Sequence, residues 1–177
     1  MEDSGLNKRL NTLLFFIFLL TAPGLVSGAP AERIEFKEKN LWEIRGTCEF
    51  GDDIFRNQGK VRMITKEAIP VRETMIWQLR ASVRSFDASG RIRIGFLPLD
   101  ANKNVFKDSN GKTVILWCTR EIKAGRRWKN ICGGISSVSK SELVNVKWIK
   151  NVKFTKITLE SSGKVDIIEF ALEKLEE

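Results

Sequence analysis

Residues 77–96 have the sequence WQLRASVRSFDASGRIRIGF, and this stretch decides the fold class. Apolar and polar side chains alternate in residues 77–84, and the same alternation returns in residues 91–96. A period of two places the apolar side chains on one face of a β-strand and the polar ones on the other. Turn-forming residues occupy positions 87–90 between the two segments. We therefore predict two half-buried antiparallel strands.

The rest of the chain contains further segments of this kind. No segment carries an apolar stripe with the period of a helix, and clusters of Gly, Asn, Asp or Ser separate most of the segments. About eight short strands at this spacing are typical of an antiparallel sandwich or barrel. The additional strand-like segments are residues 59–65, 112–118, 127–135, 144–149, 152–159 and 164–172.

The N-terminal segment has the pattern of a secretory signal peptide. Two basic residues, Lys8 and Arg9, precede the apolar run LLFFIFLL at 13–20, and small residues follow it. This run is shorter than the roughly 20 apolar residues of a membrane span. We predict a signal peptide at 1–28 and one domain at 29–177, located outside the cytoplasm, secreted or in the cell envelope. The alternative is an N-terminal anchor that is not cleaved.

The composition excludes several classes of enzyme. The chain has 177 residues, no His and a formal charge of +8. Without His, neither a Ser-His-Asp triad nor a His-liganded metal is available, and three cysteines are too few for a four-thiolate zinc site. No spacing of acidic residues indicates a glycosidase pair, so we predict that the chain is not an enzyme. An exported protein does not normally meet nucleic acid, and the positive charge therefore favours anionic glycans or an anionic envelope surface.

Four segments in order resemble a known family. They are RNQGKVRMIT at 56–65, the central stretch 69–105, RRWKNICGGI at 126–135 and SSGKVDIIEFALEKL at 161–175. Together they resemble the jelly-roll carbohydrate-binding modules that accompany secreted cellulases and xylanases, within the galactose-binding-like fold. The resemblance implies an all-β antiparallel β-sandwich that binds a polysaccharide. The alternative is a structural or adhesive cell-envelope protein that kept the sandwich and lost the sugar site, since fold alone does not establish a ligand.

Such modules often hold a structural calcium ion, with acidic ligands from their opening and closing strands. In this chain the closing strand lacks the usual adjacent pair of acids. The resemblance leaves Glu43, Asp166 and Glu169 as the candidate calcium ligands. A D-x-N-x-N pattern at 100–104 lacks the Gly and the Glu that complete a calcium loop, and we predict an exposed turn there.

Exposed Trp side chains would provide stacking surfaces for sugars. Trp77 and Trp128 occupy positions where the family places core aromatics, and we predict that both are buried. The environments of Trp117 and Trp148 stay open: Lys147 and Lys150 flank Trp148 and would suit an exposed indole, but a buried indole is the commoner state. The candidate ligand-binding aromatics are Trp117 and Trp148.

Arginines dominate the polar face of the two alternating segments. If the turn at 87–90 closes a hairpin, Arg84 lies opposite Arg93. Guanidinium groups pair with carboxylate or sulfate groups, and a solvated surface is the alternative interpretation. The candidate anion-binding arginines are Arg80, Arg84, Arg91 and Arg93. A second basic cluster, predicted to be a turn with solvated charges, consists of Arg120, Lys123, Arg126, Arg127 and Lys129.

Three cysteines allow three alternative disulfides. Cys118 and Cys132 flank a turn centred on Gly125, and a hairpin there would place them opposite each other. We favour this pairing in an oxidising compartment, which leaves Cys48 as a free thiol.

Overall fold

The computed structural model describes residues 32–72, 74–137 and 144–176, so the predicted signal peptide lies outside the described residues. Apart from a 3-10 helix at Lys39–Leu41, the elements of the described residues are strands. None of the helices in the described ranges is long and apolar enough to cross a bilayer. The strands are β1 (Glu32–Glu35), β2 (Trp42–Phe50), β3 (Phe55–Thr65), β4 (Ile69–Pro70), β5 (Met75–Arg84), β6 (Arg91–Leu99), β7 (Leu116–Trp117), β8 (Ile122–Lys123), β9 (Lys129–Ser136), β10 (Val144–Lys147), β11 (Phe154–Ser162) and β12 (Lys164–Glu176).

The strands form two layers that share β3. The first layer has the order β10-β9-β5-β12-β3, and the second has the order β3-β11-β6-β7. Strand β1 pairs with β12, β2 with β3, β4 with β11 and β8 with β6. The pairing of β10 with β9 is parallel, and the other described strand pairs are antiparallel. The predicted all-β sandwich is therefore confirmed.

Two glycines let the shared strand and its neighbour bend from one layer to the other. Residues 55–58 of β3 pair with β12, whereas residues 61–64 pair with β11. Between them Gly59 has φ 72°, and Gly46 of β2 has φ 109°. The β2–β3 register shifts at the same place. Because glycine adopts positive φ without a steric penalty, these two positions allow both strands to turn the corner.

The core lies between the layers and is rich in aromatic side chains. Trp77 of β5 and Phe96 of β6 are both fully buried, with 6.4 Å between their ring centroids. Trp148 contacts both rings, at 6.0 Å and 5.2 Å. Each such ring removes about 150–250 Å² of surface from water, so this cluster is a major source of stability. The apolar faces predicted for β5 and β6 are thus the inner faces of the sandwich.

The predicted hairpin between β5 and β6 is wrong. Arg84 at the end of β5 lies opposite Asp166 of β12, and Arg93 of β6 lies opposite Glu160 of β11. The turn after β5 carries the chain from the first layer to the second. The alternation of apolar and polar residues shows which face of a strand is buried, but it does not show which strand lies beside it. Two strands in opposite layers, with their apolar faces toward each other, have the same alternation as the two strands of a hairpin.

Candidate binding surfaces

Two exposed aromatic rings hold an arginine at the end of the first layer. The exposed fraction is 60% for Phe86 and 39% for Trp128. The guanidinium carbon of Arg84 lies 4.7 Å from the centre of the Phe86 ring and 4.4 Å from that of Trp128. We call Phe86, Arg84 and Trp128 the aromatic clamp. Each cation–π contact at an exposed site contributes about 0.5–1 kcal/mol, so the arginine helps to hold both rings in place.

Asp166 fixes the arginine of the clamp. The Nε and Nη2 atoms of Arg84 donate hydrogen bonds to Oδ2 of Asp166, at 3.1 Å and 3.0 Å. Arg56 approaches the other carboxylate oxygen at 3.9 Å. Because its charge is compensated by Asp166, Arg84 acts mainly as a support for the two rings.

A polar groove of about 250 Å³ lies on the same outer face. Ser82 Oγ is 2.6 Å from Oδ1 of Asn130 and 3.0 Å from Oε2 of Glu169, and the single hydroxyl proton serves one of them at a time. Glu169 lies in a bulge of β12 and has φ 55°, a conformation that non-glycine residues rarely adopt. The bulge presents an exposed carboxylate to the groove. Arg33 and Arg80 also line the groove.

Cations without carboxylate partners flank Trp128 in sequence. Arg126, Arg127 and Lys129 are exposed, and none of them forms an ion pair within the described part of the chain. They belong to the cluster that the sequence predicted to be a solvated turn, and residues 125–128 do connect β8 to β9. The first layer thus places uncompensated positive charge beside an exposed indole.

Comparisons with known proteins concern the fold. The sequence matches no family model and no curated protein. The CBM22-1 xylan-binding domain of Xyn10C from Paenibacillus barcinonensis superposes with a TM-score of 0.54 at 13% identity, over 82% of this chain and 94% of that one. The enzymatically active domain of tailspike protein 4 from bacteriophage CBA120 gives a TM-score of 0.51 at 12% identity, over 80% of this chain and 20% of that one. The chain shares the β-sandwich fold of that xylan-binding domain. At these identities the likeness extends to the fold alone.

Within this module fold, the four candidate arginines do not form one row. Arg80 and Arg84 lie on the first layer, and Arg91 and Arg93 lie on the second. The row depended on the hairpin that the structure replaces with a crossing between layers. Each candidate is also ion-paired with a carboxylate: Arg80 with Glu173, Arg84 with Asp166, Arg91 with Glu121 and Arg93 with Glu160.

The three tryptophans Trp117, Trp128 and Trp148 lie in different environments. Trp148 is 9% exposed and packs between Trp77 and Phe96, so its indole is part of the core. Trp128, which was predicted to be buried, is exposed. Asn130 of β9 faces outward, and Trp128 lies two residues before it and therefore on the same side of the sheet. Trp117 is half-buried, and the guanidinium carbon of Arg93 lies 3.9 Å from the centre of its ring. One face of Trp117 is therefore already covered.

The candidate calcium ligands Glu43, Asp166 and Glu169 do not share one site. Glu43 is ion-paired with Lys156 of β11, at 3.2 Å, whereas Asp166 binds Arg84 and Glu169 contacts Ser82. Within the described ranges, no three His, Cys, Asp or Glu side chains are grouped so that they could hold a metal ion. The predicted turn at 100–104 is confirmed. There, Oδ1 of Asp100 accepts hydrogen bonds from the backbone N–H groups of Asn102 and Asn104, both at 2.8 Å.

The predicted disulfide is wrong, because all three cysteines are free thiols. Cys118 is buried against Gly133, where a Cβ would lie 2.6 Å from the Cβ of Cys118. Cys132, the preceding residue of β9, is exposed on the outer face opposite Arg80. Adjacent residues of a strand face opposite sides, so the two thiols are separated by the sheet. Burial raises the pKa of the Cys48 thiol to about 11.

Proposed function

We propose that this chain is an exported, non-catalytic protein that binds an acidic polysaccharide on the outer face of the first layer. One observation carries the proposal: the exposed Trp128 indole, which Arg84 holds beside a polar groove and a set of unpaired cations. The module fold supports it at the level of fold, and the signal-like segment at 1–28 supports export.

The clamp and the groove offer the two kinds of contact that a sugar needs. The C–H faces of a pyranose ring pack on flat apolar surface, which Trp128 and Phe86 supply. Sugar hydroxyls need donors and acceptors nearby, and these are the polar atoms of Ser82, Asn130 and Glu169. A few fixed polar groups beside apolar surface are the usual composition of a small-molecule site.

The unpaired cations support an acidic ligand. Arg126, Arg127 and Lys129 have no carboxylate partner among the described residues, so a uronic acid or sulfate ester would meet uncompensated charge there. The formal charge of +8 would also attract a polyanion from solution. Both effects weaken as salt concentration rises, because exposed charges are screened.

The carboxyl groups whose pKa is displaced are held in the charged form. A glycosidase keeps one carboxyl group protonated near neutral pH by raising its pKa. In the described ranges, Glu35, Asp87, Asp100 and Glu160 have displaced pKa values, and all four are lowered, since hydrogen bonds and nearby cations outweigh burial. These carboxyl groups are held in the charged form, which suits ion pairing.

A glycan array tests the proposal, with purified protein at low and moderate salt, with and without calcium. We expect binding to uronic-acid or sulfated glycans that weakens with salt and falls about tenfold or more in Trp128→Ala, which corresponds to at least about 1.4 kcal/mol. The matched control is Val105→Ala, which removes another exposed apolar side chain outside the clamp.

The other outcomes each contradict a defined part of the proposal. Binding to neutral glycans alone would retain the clamp and reject the acidic ligand. Binding that Trp128→Ala leaves unchanged would reject the clamp. The absence of binding to any glycan would reject the whole proposal and favour the structural or adhesive protein.

A further inference from the structure

The outer face of the second layer carries a straight row of charged residues across four strands. Arg45 of β2 lies directly opposite Arg62 of β3, Arg62 lies opposite Glu160 of β11, and Glu160 lies opposite Arg93 of β6. With strands about 4.8 Å apart, this Arg45–Arg93 row extends roughly 14 Å across the sheet. It faces away from the aromatic clamp, because the clamp belongs to the other layer.

Glu160 holds the two arginines beside it in fixed orientations. Arg93 donates from Nε to Oε2 at 2.8 Å, and Arg62 donates from Nε to Oε1. The Nη2 atom of each arginine contacts the same carboxylate oxygen as its Nε atom. Glu160 therefore binds the Nε and Nη2 side of both guanidinium groups. Arg93 is further fixed by the Trp117 ring beneath it. The Nη1 atoms of Arg62 and Arg93 have no partner among the described residues and stay available for another acceptor.

The Arg45 end of the row has charge without compensation. Arg45 and Lys60 are exposed, and neither has an ion-pair partner in the ranges that the structure describes. Lys60 and Arg62 are two residues apart on β3 and therefore share a face. Like charges placed directly opposite each other in a sheet are destabilising, and Arg45 and Arg62 are in this arrangement.

These side chains line a groove of about 730 Å³. Its charged lining consists of five cations, Arg45, Lys60, Arg62, Arg91 and Arg93, and two carboxylates, Glu121 and Glu160. Glu160 is saturated by Arg62 and Arg93, and Glu121 is paired with Arg91 at 3.3 Å. The surplus of positive charge therefore consists of Arg45, Lys60 and the one charge by which Arg62 and Arg93 together exceed Glu160.

We propose that this groove is a second binding site, separate from the aromatic clamp, and that Arg45, Lys60 and Arg62 bind a sulfate group there. Three cations line the same groove, and a sulfate ester presents three terminal oxygens where a carboxylate presents two. The orientation of Arg62 is already fixed by Glu160, so little additional ordering is needed on binding. The sulfate can be free or esterified to a sugar chain, and the experiment separates these two sources.

The test uses calorimetric titration of the full chain with a sulfated oligosaccharide, with the same oligosaccharide after removal of its sulfate esters, and with sodium sulfate. Sodium chloride at matched ionic strength is the reference. The variants are Arg45→Gln and Lys60→Gln. The control Arg72→Gln makes the same charge change at an exposed arginine that lines neither this groove nor the one beside the clamp and has no ion pair within the described residues.

We expect the sulfated oligosaccharide to bind and its desulfated form to lose that binding. Arg45→Gln and Lys60→Gln should each weaken binding by about tenfold, as expected for a charged hydrogen-bond partner, and Arg72→Gln by less than about twofold. If sodium sulfate also binds, the free ion is sufficient for binding. If the sulfated oligosaccharide binds and sodium sulfate does not, the site requires a sulfate ester on a sugar chain. Both results support the site.

The clamp and the groove can fail independently. Loss of sulfate-dependent binding in Trp128→Ala, with Arg45→Gln unchanged, would overturn this second site and leave the proposed function standing. Equal losses of affinity in Arg45→Gln and Arg72→Gln would show that binding depends only on the net charge of the protein, and this result would also overturn the second site. Because Arg45 is exposed and faces a like charge, we expect Arg45→Gln to fold, with a melting temperature in chloride no lower than that of the unmodified protein.

Discussion

Trp77 of β5 and Phe96 of β6 pack edge to face across the interior, with an interplanar angle of 75°, although their strands are joined by a short turn. A hairpin would have placed the two strands side by side in one sheet. The ring contact instead requires them to lie in opposite layers, with their apolar faces turned toward each other. The position of every polar side chain on β5 and β6 follows from this arrangement, including the separation of the aromatic clamp from the Arg45–Arg93 row.

Trp77→Ala should cost far more stability than Trp128→Ala. Trp77 is fully buried, and truncation of such a residue costs about 3–5 kcal/mol of unfolding free energy because it leaves a cavity beside Trp148 and Phe96. Trp128 is 39% exposed, and its loss should cost no more than about 1 kcal/mol. Urea unfolding of both variants measures the difference. Similar losses would contradict the exposed position of Trp128.

The Glu160 carboxylate should make stability depend on pH. Burial alone would raise the pKa of Glu160, but hydrogen bonds from Arg93 and Arg62 outweigh it and lower the pKa below its ordinary value of 4.5. A carboxyl group whose pKa is lower in the folded state stabilises the fold fully above the unfolded-state pKa. That stabilisation is lost as pH falls through the lower folded-state pKa. We therefore expect Glu160→Gln to lose about 1–2 kcal/mol at pH 7.

The difference between Glu160→Gln and the unmodified protein should shrink as pH falls below the ordinary range of glutamate. Chemical unfolding at several pH values from 7 to about 3 measures it. Glu67→Gln is the control, because Glu67 is exposed and forms no ion pair within the described part of the chain. A constant difference across this pH range would show that the ion pairs of Glu160 do not stabilise the fold.

Gly95→Ala should disturb the support of Arg93. A Cβ at Gly95 would lie 2.6 Å from the carbonyl oxygen of Leu116 and 2.9 Å from Cα of Trp117, so β7 would have to shift. Overpacking of this kind costs about 1–3 kcal/mol. Gly125→Ala is the matched control, since no atom lies within 4 Å of the added Cβ, and we expect a change within about 0.5 kcal/mol. Thermal unfolding of both variants would show equal changes if β7 packed elsewhere.

Cys132 should react with thiol reagents well before Cys118. Burial raises the pKa of both thiols, but Cys132 is exposed on the outer face of β9, whereas Cys118 is 4% exposed. Labelling of the native protein with iodoacetamide, read by mass spectrometry, should modify Cys132 first. Cys132→Ser should remove this early modification. Fewer than three reactive thiols in the denatured, unreduced protein would contradict the free cysteines of the structure.

Local patterns were sufficient for predictions that concern one strand or one turn. The apolar faces of β5 and β6 could be predicted from residues 77–96, because successive side chains of a strand face opposite sides wherever the strand lies. The turn at 100–104 could be predicted because Asp100 accepts its hydrogen bonds from residues two and four positions later. The sandwich followed from the number and spacing of such strands.

The candidate sites depended on partners far apart in sequence, and these could not be predicted from single segments. Trp128, expected in the core, is exposed, and Trp148, whose environment the sequence left open, is buried. The residues next to Trp128 in sequence do not show that its side chain lies on the outward side of β9. The residues next to Trp148 do not show that its side chain packs on Phe96. The row from Arg45 to Arg93 joins four strands whose registers are set by strand pairing across the whole domain.

The sequence by itself determined that this protein is all-β, which faces of its central strands are buried, and that it carries excess positive charge, because these properties depend on residue type and on spacing along one strand. Only the tertiary structure decided which carboxylate compensates each arginine and which indole is exposed. Ion pairing and exposure depend on distances between residues that are far apart in sequence, such as Arg62 and Glu160, which are 98 positions apart. Those distances exist only after the two layers have packed against each other.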